Sequence, residues 1–97
     1  MKNFSFVLLF LALMLSSFTI VECSPNGWEY VKVDSSLIYQ IGYNFSKEML
    51  RIEFNSGKIY FYYDVPKNVY KEFKKASSKG RYFNSYIKGY YYYKRIK

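Results

Sequence analysis

Apolar and polar residues alternate along three stretches in the middle of the chain. In SSLIYQIGYN, the residues Leu37, Tyr39, Ile41 and Tyr43 fall two apart, on one face of an extended segment. In MLRIEF, Leu50, Ile52 and Phe54 share one face, with Arg51 and Glu53 opposite. In KIYFYY, Ile59, Phe61 and Tyr63 take one face, and Tyr60 and Tyr62 take the other. A period of two predicts three strands. NSGK lies between the second and the third, and Gly57 can take the positive φ of a tight turn, so these two form a hairpin. The period then changes. Asp64-Val65-Pro66 ends the sheet, and proline is well placed to open a helix because its missing N–H is not needed there. In KNVYKEFKKAS, Val69, Phe73 and Ala76 recur at helical spacing, with Tyr70 beside them and Lys71, Lys74 and Lys75 along the outer side. Gly80 is placed to end this helix. RYFNSYIK reads as a second, short helix with Phe83, Tyr86 and Ile87 inward. YYYYKRI alternates poorly, as a fourth strand or an extended tail. The fold class is α+β: a small three-stranded antiparallel sheet packed on one α-helix, followed by a short helix and a C-terminal aromatic and basic segment.

The start of the chain has a different composition. Lys2 is the only charge before an apolar run at residues 6–15, which Ser16 and Ser17 close. A basic start, a short apolar core and a polar exit make the layout of a secretory signal peptide over residues 1–23. The core is short for a span, which needs ~20 residues. Extended through Val21, it approaches that length, so a membrane-anchored form is the alternative. Lipidation of Cys23 is a third reading, disfavoured by Glu22 just before it. This predicts a secreted or periplasmic protein. SPNGWEYVKV begins with turn formers and reads as a short disordered leader over residues 24–33, ahead of one domain at residues 34–97. With 97 residues there is room for one domain. A single cysteine excludes an intramolecular disulfide, so stability rests on packing, to which 13 tyrosines and 9 phenylalanines contribute much area. Asn44-Phe45-Ser46 matches the N-glycosylation acceptor pattern, a short motif that arises often by chance.

Charge sharpens the picture. Residues 67–97 hold ten basic side chains against one acidic, Glu72, whereas residues 24–66 hold four against five. All the excess positive charge beyond the leader therefore lies in the last third, beside the tyrosines. Such asymmetry speaks of partners rather than of fold, and favours an anionic one: nucleic acid, an anionic membrane surface or an acidic polysaccharide.

The ordered set of signals also resembles a known family. VDSSLIYQIGY, LRIEFNSGKIYFYYDVP and VYKEFKKASSKGRYFNSYIKGYY together resemble the KTSC domain, named from the C-terminal domain of some lysyl-tRNA synthetases and also found as small stand-alone proteins. Ser35-Ser36, Ile41-Gly42-Tyr43, Gly57, Tyr60-x-Tyr62, Val65-Pro66, Tyr70 and Ser78-x-Gly80 with Tyr82-Phe83-Asn84 carry the resemblance, over about residues 33–96. The resemblance implies a domain without known activity, for which RNA binding has been suggested. An exported chain departs from that setting, because it would not meet cytoplasmic tRNA.

For binding, Lys79, Arg81, Lys88, Lys94 and Arg95 are the candidate phosphate contacts. Tyr60, Tyr62, Tyr82 and members of the run at residues 90–93 are the candidate stacking rings. If Ile59, Phe61 and Tyr63 face the helix, Tyr60 and Tyr62 form an open aromatic platform, as in sheet-based RNA readers. The plainer alternative makes the tyrosines core and the lysines its solvated outside; Tyr70, Phe73, Phe83 and Tyr86 fit that role. No protein partner can be named.

Catalysis finds little support. The chain has no histidine, the commonest general base and a common metal ligand. Ser85 and Lys88 fit a Ser-x-x-Lys pattern but lack the motifs that accompany it in hydrolases. Asp34, Glu48, Glu53 and Asp64 are scattered, without acid–base pairing or metal spacing. No catalytic residue, metal site or cofactor is expected. The leading expectation is a non-catalytic polyanion binder, with nucleic acid first. The alternative is a protein-interaction or structural module of the envelope or secretome.

Overall fold

Gly57 turns the chain at φ 93°, and the pair Phe54 N–H to Lys58 O, 2.9 Å, closes a three-residue loop. This builds the expected hairpin from β4 (Met49–Phe54) and β5 (Ile59–Tyr62). The structure is a computed structural model and describes residues 22–23 and 26–97; the apolar N-terminal run of the signal reading lies outside them. Ahead of the hairpin come β1 (Glu22–Cys23), β2 (Trp28–Lys32) and β3 (Ile38–Asn44), and after it β6 (Tyr93–Arg95). All pair antiparallel in chain order. Five of the six strands have three or more residues, and β1 has two.

The three-strand expectation is therefore too small. The stretch read as a disordered leader supplies β2, which pairs with β3 along its whole length, from Trp28 opposite Asn44 to Lys32 opposite Gln40. Tyr93, Lys94 and Arg95 supply β6, which closes on β5, so of the two alternatives for the C-terminal run the strand is the one formed. WEYVK and YKR show no clean alternation because each is partly exposed on both faces. Hydrogen bonds to a well-patterned neighbour define them.

Between β5 and β6 the chain crosses the sheet as α1 (Lys67–Lys75) and α2 (Lys79–Tyr82), and α2 runs on into a π-helical turn, Phe83–Ile87. Pro66 precedes α1, as expected, and Lys74 and Lys75 lie in its last turn, where positive charge suits the dipole. Ser78 caps α2, its hydroxyl accepting from the Arg81 N–H.

The helices cover one face of the sheet. The core between them contains Ile38, Ile41, Tyr43, Leu50, Ile52, Tyr62, Val65, Tyr70, Phe73, Phe83 and Ile87. Two strand phases differ from the alternation pattern. A bulge between Ile38 and Gln40 lets Ile38 and Ile41, three apart, both face inward, while Leu37 and Tyr39 are exposed. In β5 the faces are exchanged: Tyr60 pairs with Ile52 and Tyr62 with Leu50, so both tyrosines share the helix-covered face. In the π-turn, Phe83 and Ile87 are buried as expected, but Tyr86 is 60% exposed, because the wider i→i+5 turn, closed by Lys88 N–H to Phe83 O, rotates it outward.

Candidate functional site: an aromatic and cationic trough

On the helix side, no residue of α1 lines the hollow at the β5–β6 end of the sheet. The rings there form a wall. Tyr60 lies parallel to Tyr93, with centroids 5.7 Å and planes 5° apart. Tyr62 stands within 5.6 Å of Tyr93, and Phe54 and Phe83 meet Tyr60 and Tyr62 edge-on at 5.6 and 5.7 Å. Beneath this wall a hollow of about 580 Å³ opens, bordered by the loop before β3, the β4–β5 hairpin, the π-turn and β6. Lys58 and Lys88 stand at its rim, and Asn55 and Asn84 bring amides. A second hollow of about 570 Å³ lies next to it, around Ser77, Ser78, Gly80 and Arg81, with Asp34 as its one acidic residue. Ser36, Leu37 and Asn84 line both hollows, so the two adjoin along these residues as the halves of a trough.

The expected site residues divide. Tyr60, half-buried, and Lys88, exposed, line the aromatic half, and Arg81 lines the serine half. Arg95 pairs with Tyr60 across the ladder, on the same face. Four others serve different ends. Tyr62 is 2% exposed and holds the trough floor, so its ring is not an open platform. Burial first, then the neighbouring Tyr60 and Tyr93, push its hydroxyl up to about 12. Tyr82 stacks on Phe73 at 5.5 Å and donates to the Val69 carbonyl, so it packs the helices together. Lys79 lines the serine half as well, but its ammonium donates to the Ala76 carbonyl just past the end of α1. Lys94 sits opposite Phe61, on the other face of the sheet. Ser85 lines the serine half and Lys88 the aromatic half, so the Ser-x-x-Lys pair does not converge on one hollow. Among the described residues, no three of His, Cys, Asp and Glu gather as a metal site.

Three contributions were missed by the reading of the sequence: Lys58, Asn84 and the specific choice of Tyr93 from its run. A signal for Tyr93 existed only in the β5–β6 register, which places it opposite Tyr62. The phase of β5 was legible. A loop closed by Phe54 and Lys58 forces the pairs Ile52–Tyr60 and Leu50–Tyr62, so inward Leu50 and Ile52 imply inward tyrosines.

The exchange gives the opposite face a different aromatic group. Trp28 on β2 reaches over β3 and β4 to stack on Phe61 of β5 at 5.7 Å, and lies 6.0 Å from Tyr30. The Arg51 guanidinium stands 5.8 Å from the Tyr30 ring centre.

The order of these elements recurs in known proteins. A solved structure of a KTSC domain protein from Yersinia pestis superimposes with a TM-score of 0.70, is 37% identical, and covers 72% of this chain and 99% of its own. The KTSC domain family model matches residues 34–92. The chain belongs to the KTSC family. An uncharacterised protein of Stutzerimonas stutzeri is 39% identical over 62 residues, 87% of its length. A lysine–tRNA ligase of Nostoc punctiforme is 38% identical over 66 residues, 68% of this chain, and this KTSC chain thus spans only 12% of the ligase. The KTSC match includes Tyr60, Arg81, Asn84 and Lys88 and stops short of Tyr93, Lys94 and Arg95.

Proposed function

We propose that this KTSC protein is a non-catalytic binder of polyanions, nucleic acid first, and that the trough is its binding surface. The observation that carries this reading is the convergence of Tyr60, Tyr93, Lys58, Lys88 and Arg81 on one open concavity. Cations there give phosphate affinity, and rings give stacking. Of the ion pairs among the described residues, Arg51–Glu53 and Lys74–Glu29, neither involves a trough cation. Kinship with a segment of lysine–tRNA ligases, whose name includes a nucleic acid, supports the same choice. The apolar N-terminal run supports export, so the ligand would be met outside the cytoplasm, with anionic lipid as a competing surface.

The test is fluorescence anisotropy of labelled oligonucleotides and of heparin with the full chain, held in non-ionic detergent, across a salt series. Binding should fall steeply with salt. Arg81→Ala and Lys88→Ala should each weaken it and lower the salt slope by about 1. Absence of binding at low salt overturns the proposal. A second reading, a protein-interaction module, is favoured by the Trp28–Tyr30–Phe61 group on the opposite face. Binding that survives Arg81→Ala and Lys88→Ala but is lost in Trp28→Ala would move the site there.

A further inference from the structure

The two halves of the trough differ in chemistry in a way that selects among nucleic acids. The aromatic half is walled by Phe54, Tyr60, Phe83 and Tyr93, and Tyr93 keeps 53% of its surface open beside the hollow. The serine half has hydroxyls, the Gly80 backbone, the Arg81 guanidinium and Lys79, whose ammonium bonds the Ala76 carbonyl, and no aromatic ring lines it. Asn84 is exposed and stands where the halves meet; its amide both donates and accepts.

Resting on the nucleic-acid reading above, we propose that the trough takes single-stranded nucleic acid. An unpaired base enters the aromatic half against Tyr93 and Tyr60, and the adjoining phosphate lies toward Ser78 and Arg81. Three observations carry this. First, the rings line a concavity and not a ridge or flat sheet face. A base inside a duplex shows only its edges to the grooves, so its ring face reaches an aromatic wall only after leaving the stack. Second, a hollow of about 580 Å³ is the size that encloses a small molecule, the scale of one nucleotide, and not of a double helix. Third, the charge is divided. Lys58 and Lys88 flank the rim of the aromatic half, and Arg81 lies beyond Asn84. That alternation of cation, ring, amide and cation follows the order phosphate, base, phosphate along one strand. Asp34 borders the serine half from the β3 side, and repels a phosphate that strays from Arg81 toward it. Asn84 at the junction is the group able to hydrogen-bond a base edge, so it sets whatever base preference the trough has.

The experiment compares three probes of equal strand length with the full chain in detergent: a short labelled oligothymidine, its duplex with oligoadenine, and a strand with abasic residues in place of bases. The single strand should bind at least about tenfold more tightly than the other two, because base–ring stacking is lost in both. Tyr93→Ala, at an exposed position, should remove most of that difference while thermal melting shows the fold intact. Lys88→Ala should weaken all three probes alike. Equal affinity for all three, falling with salt, overturns the single-strand assignment and leaves generic polyanion binding standing. No binding of any probe overturns both. A single-strand preference that Tyr93→Ala and Tyr60→Ala leave unchanged places the stacking surface elsewhere and overturns the assignment to this trough.

Discussion

Tyr70 on α1 lies face to face with Tyr43 on β3, with centroids 4.4 Å and planes 11° apart. Phe45 meets both rings edge-on, and both tyrosines are fully buried. Their hydroxyls point to different elements. Tyr43 donates to the Val65 carbonyl just before α1, and Tyr70 donates to the Glu29 carboxylate on β2, 2.8 Å away. Lys74 also reaches Glu29, at 2.9 Å. The stack thus fastens α1 to the middle and far side of the sheet. Tyr43→Ala should destabilise the domain by about 3–5 kcal/mol in urea denaturation, as the loss of a fully buried ring does. Tyr43→Phe keeps the stack and removes only the bond to Val65, so its cost should be about 1–3 kcal/mol.

High pH acts on the same residue. Burial first, then Glu48 and Tyr91, push the Tyr43 hydroxyl up from 10.0 to about 12, and Tyr62 is raised to about 12 as well. The unfolded chain releases these protons nearer pH 10, so above that pH the folded state binds more of them. Their contribution is therefore complete below about pH 10 and is lost as pH rises toward about 12. Denaturation midpoints should fall over that window, together with a delayed rise in tyrosinate absorbance. Tyr43→Phe should make the fall shallower. An equally steep fall in that variant would assign the loss to other groups.

Gly42 allows Tyr30 to lie against the sheet. A Cβ at position 42 would stand 2.7 Å from Cε1 and 2.8 Å from Cδ1 of the Tyr30 ring, well inside contact distance. Gly42→Ala should cost about 1–3 kcal/mol by overpacking. The pair Gly42→Ala with Tyr30→Ala should show strong non-additivity, since the second change removes the clash. Additive effects in a double-mutant cycle would mean that strand conformation, not the ring, requires glycine.

Asn44 has the sequence of a glycan acceptor and the surroundings of a structural residue. It is 1% exposed. Its Oδ1 accepts from Ser46 Oγ at 2.9 Å and from the Lys47 N–H at 3.0 Å, and its Nδ2 faces the Asn26 carbonyl at 3.4 Å. This turn joins β3 to β4. Expression through a eukaryotic secretory pathway should leave the mass of the folded protein unchanged. Asn44→Ala should destabilise it by about 1–3 kcal/mol. A glycan-sized mass increase at Asn44 in folded protein would contradict the geometry.

Local chemistry determined much of this protein. Gly57 and NSG made the hairpin, Leu50 and Ile52 marked the inner face of β4, Pro66 opened α1, and Val69, Tyr70 and Phe73 oriented it, because turns, strand alternation and helical period depend on near neighbours. The ordered motifs identified the family for the same reason. Tertiary structure made a strand of Trp28–Lys32 and chose strand over extended tail for Tyr93–Arg95, because β3 and β5 offer them unpaired backbone groups. The bulge at Ile38 and the π-turn that exposes Tyr86 are likewise set by packing, since each breaks the period that a sequence reading relies on. The trough followed the same division. That the last third would hold a basic aromatic surface was written in its composition. Which tyrosines face it was not, because Tyr60, Tyr62, Tyr82 and Tyr93 are chemically alike. Cross-strand register, which joins residues more than 30 positions apart, and the packing of one helix on the other assign one to the wall, one to the floor, one to the helix interface and one to the open rim.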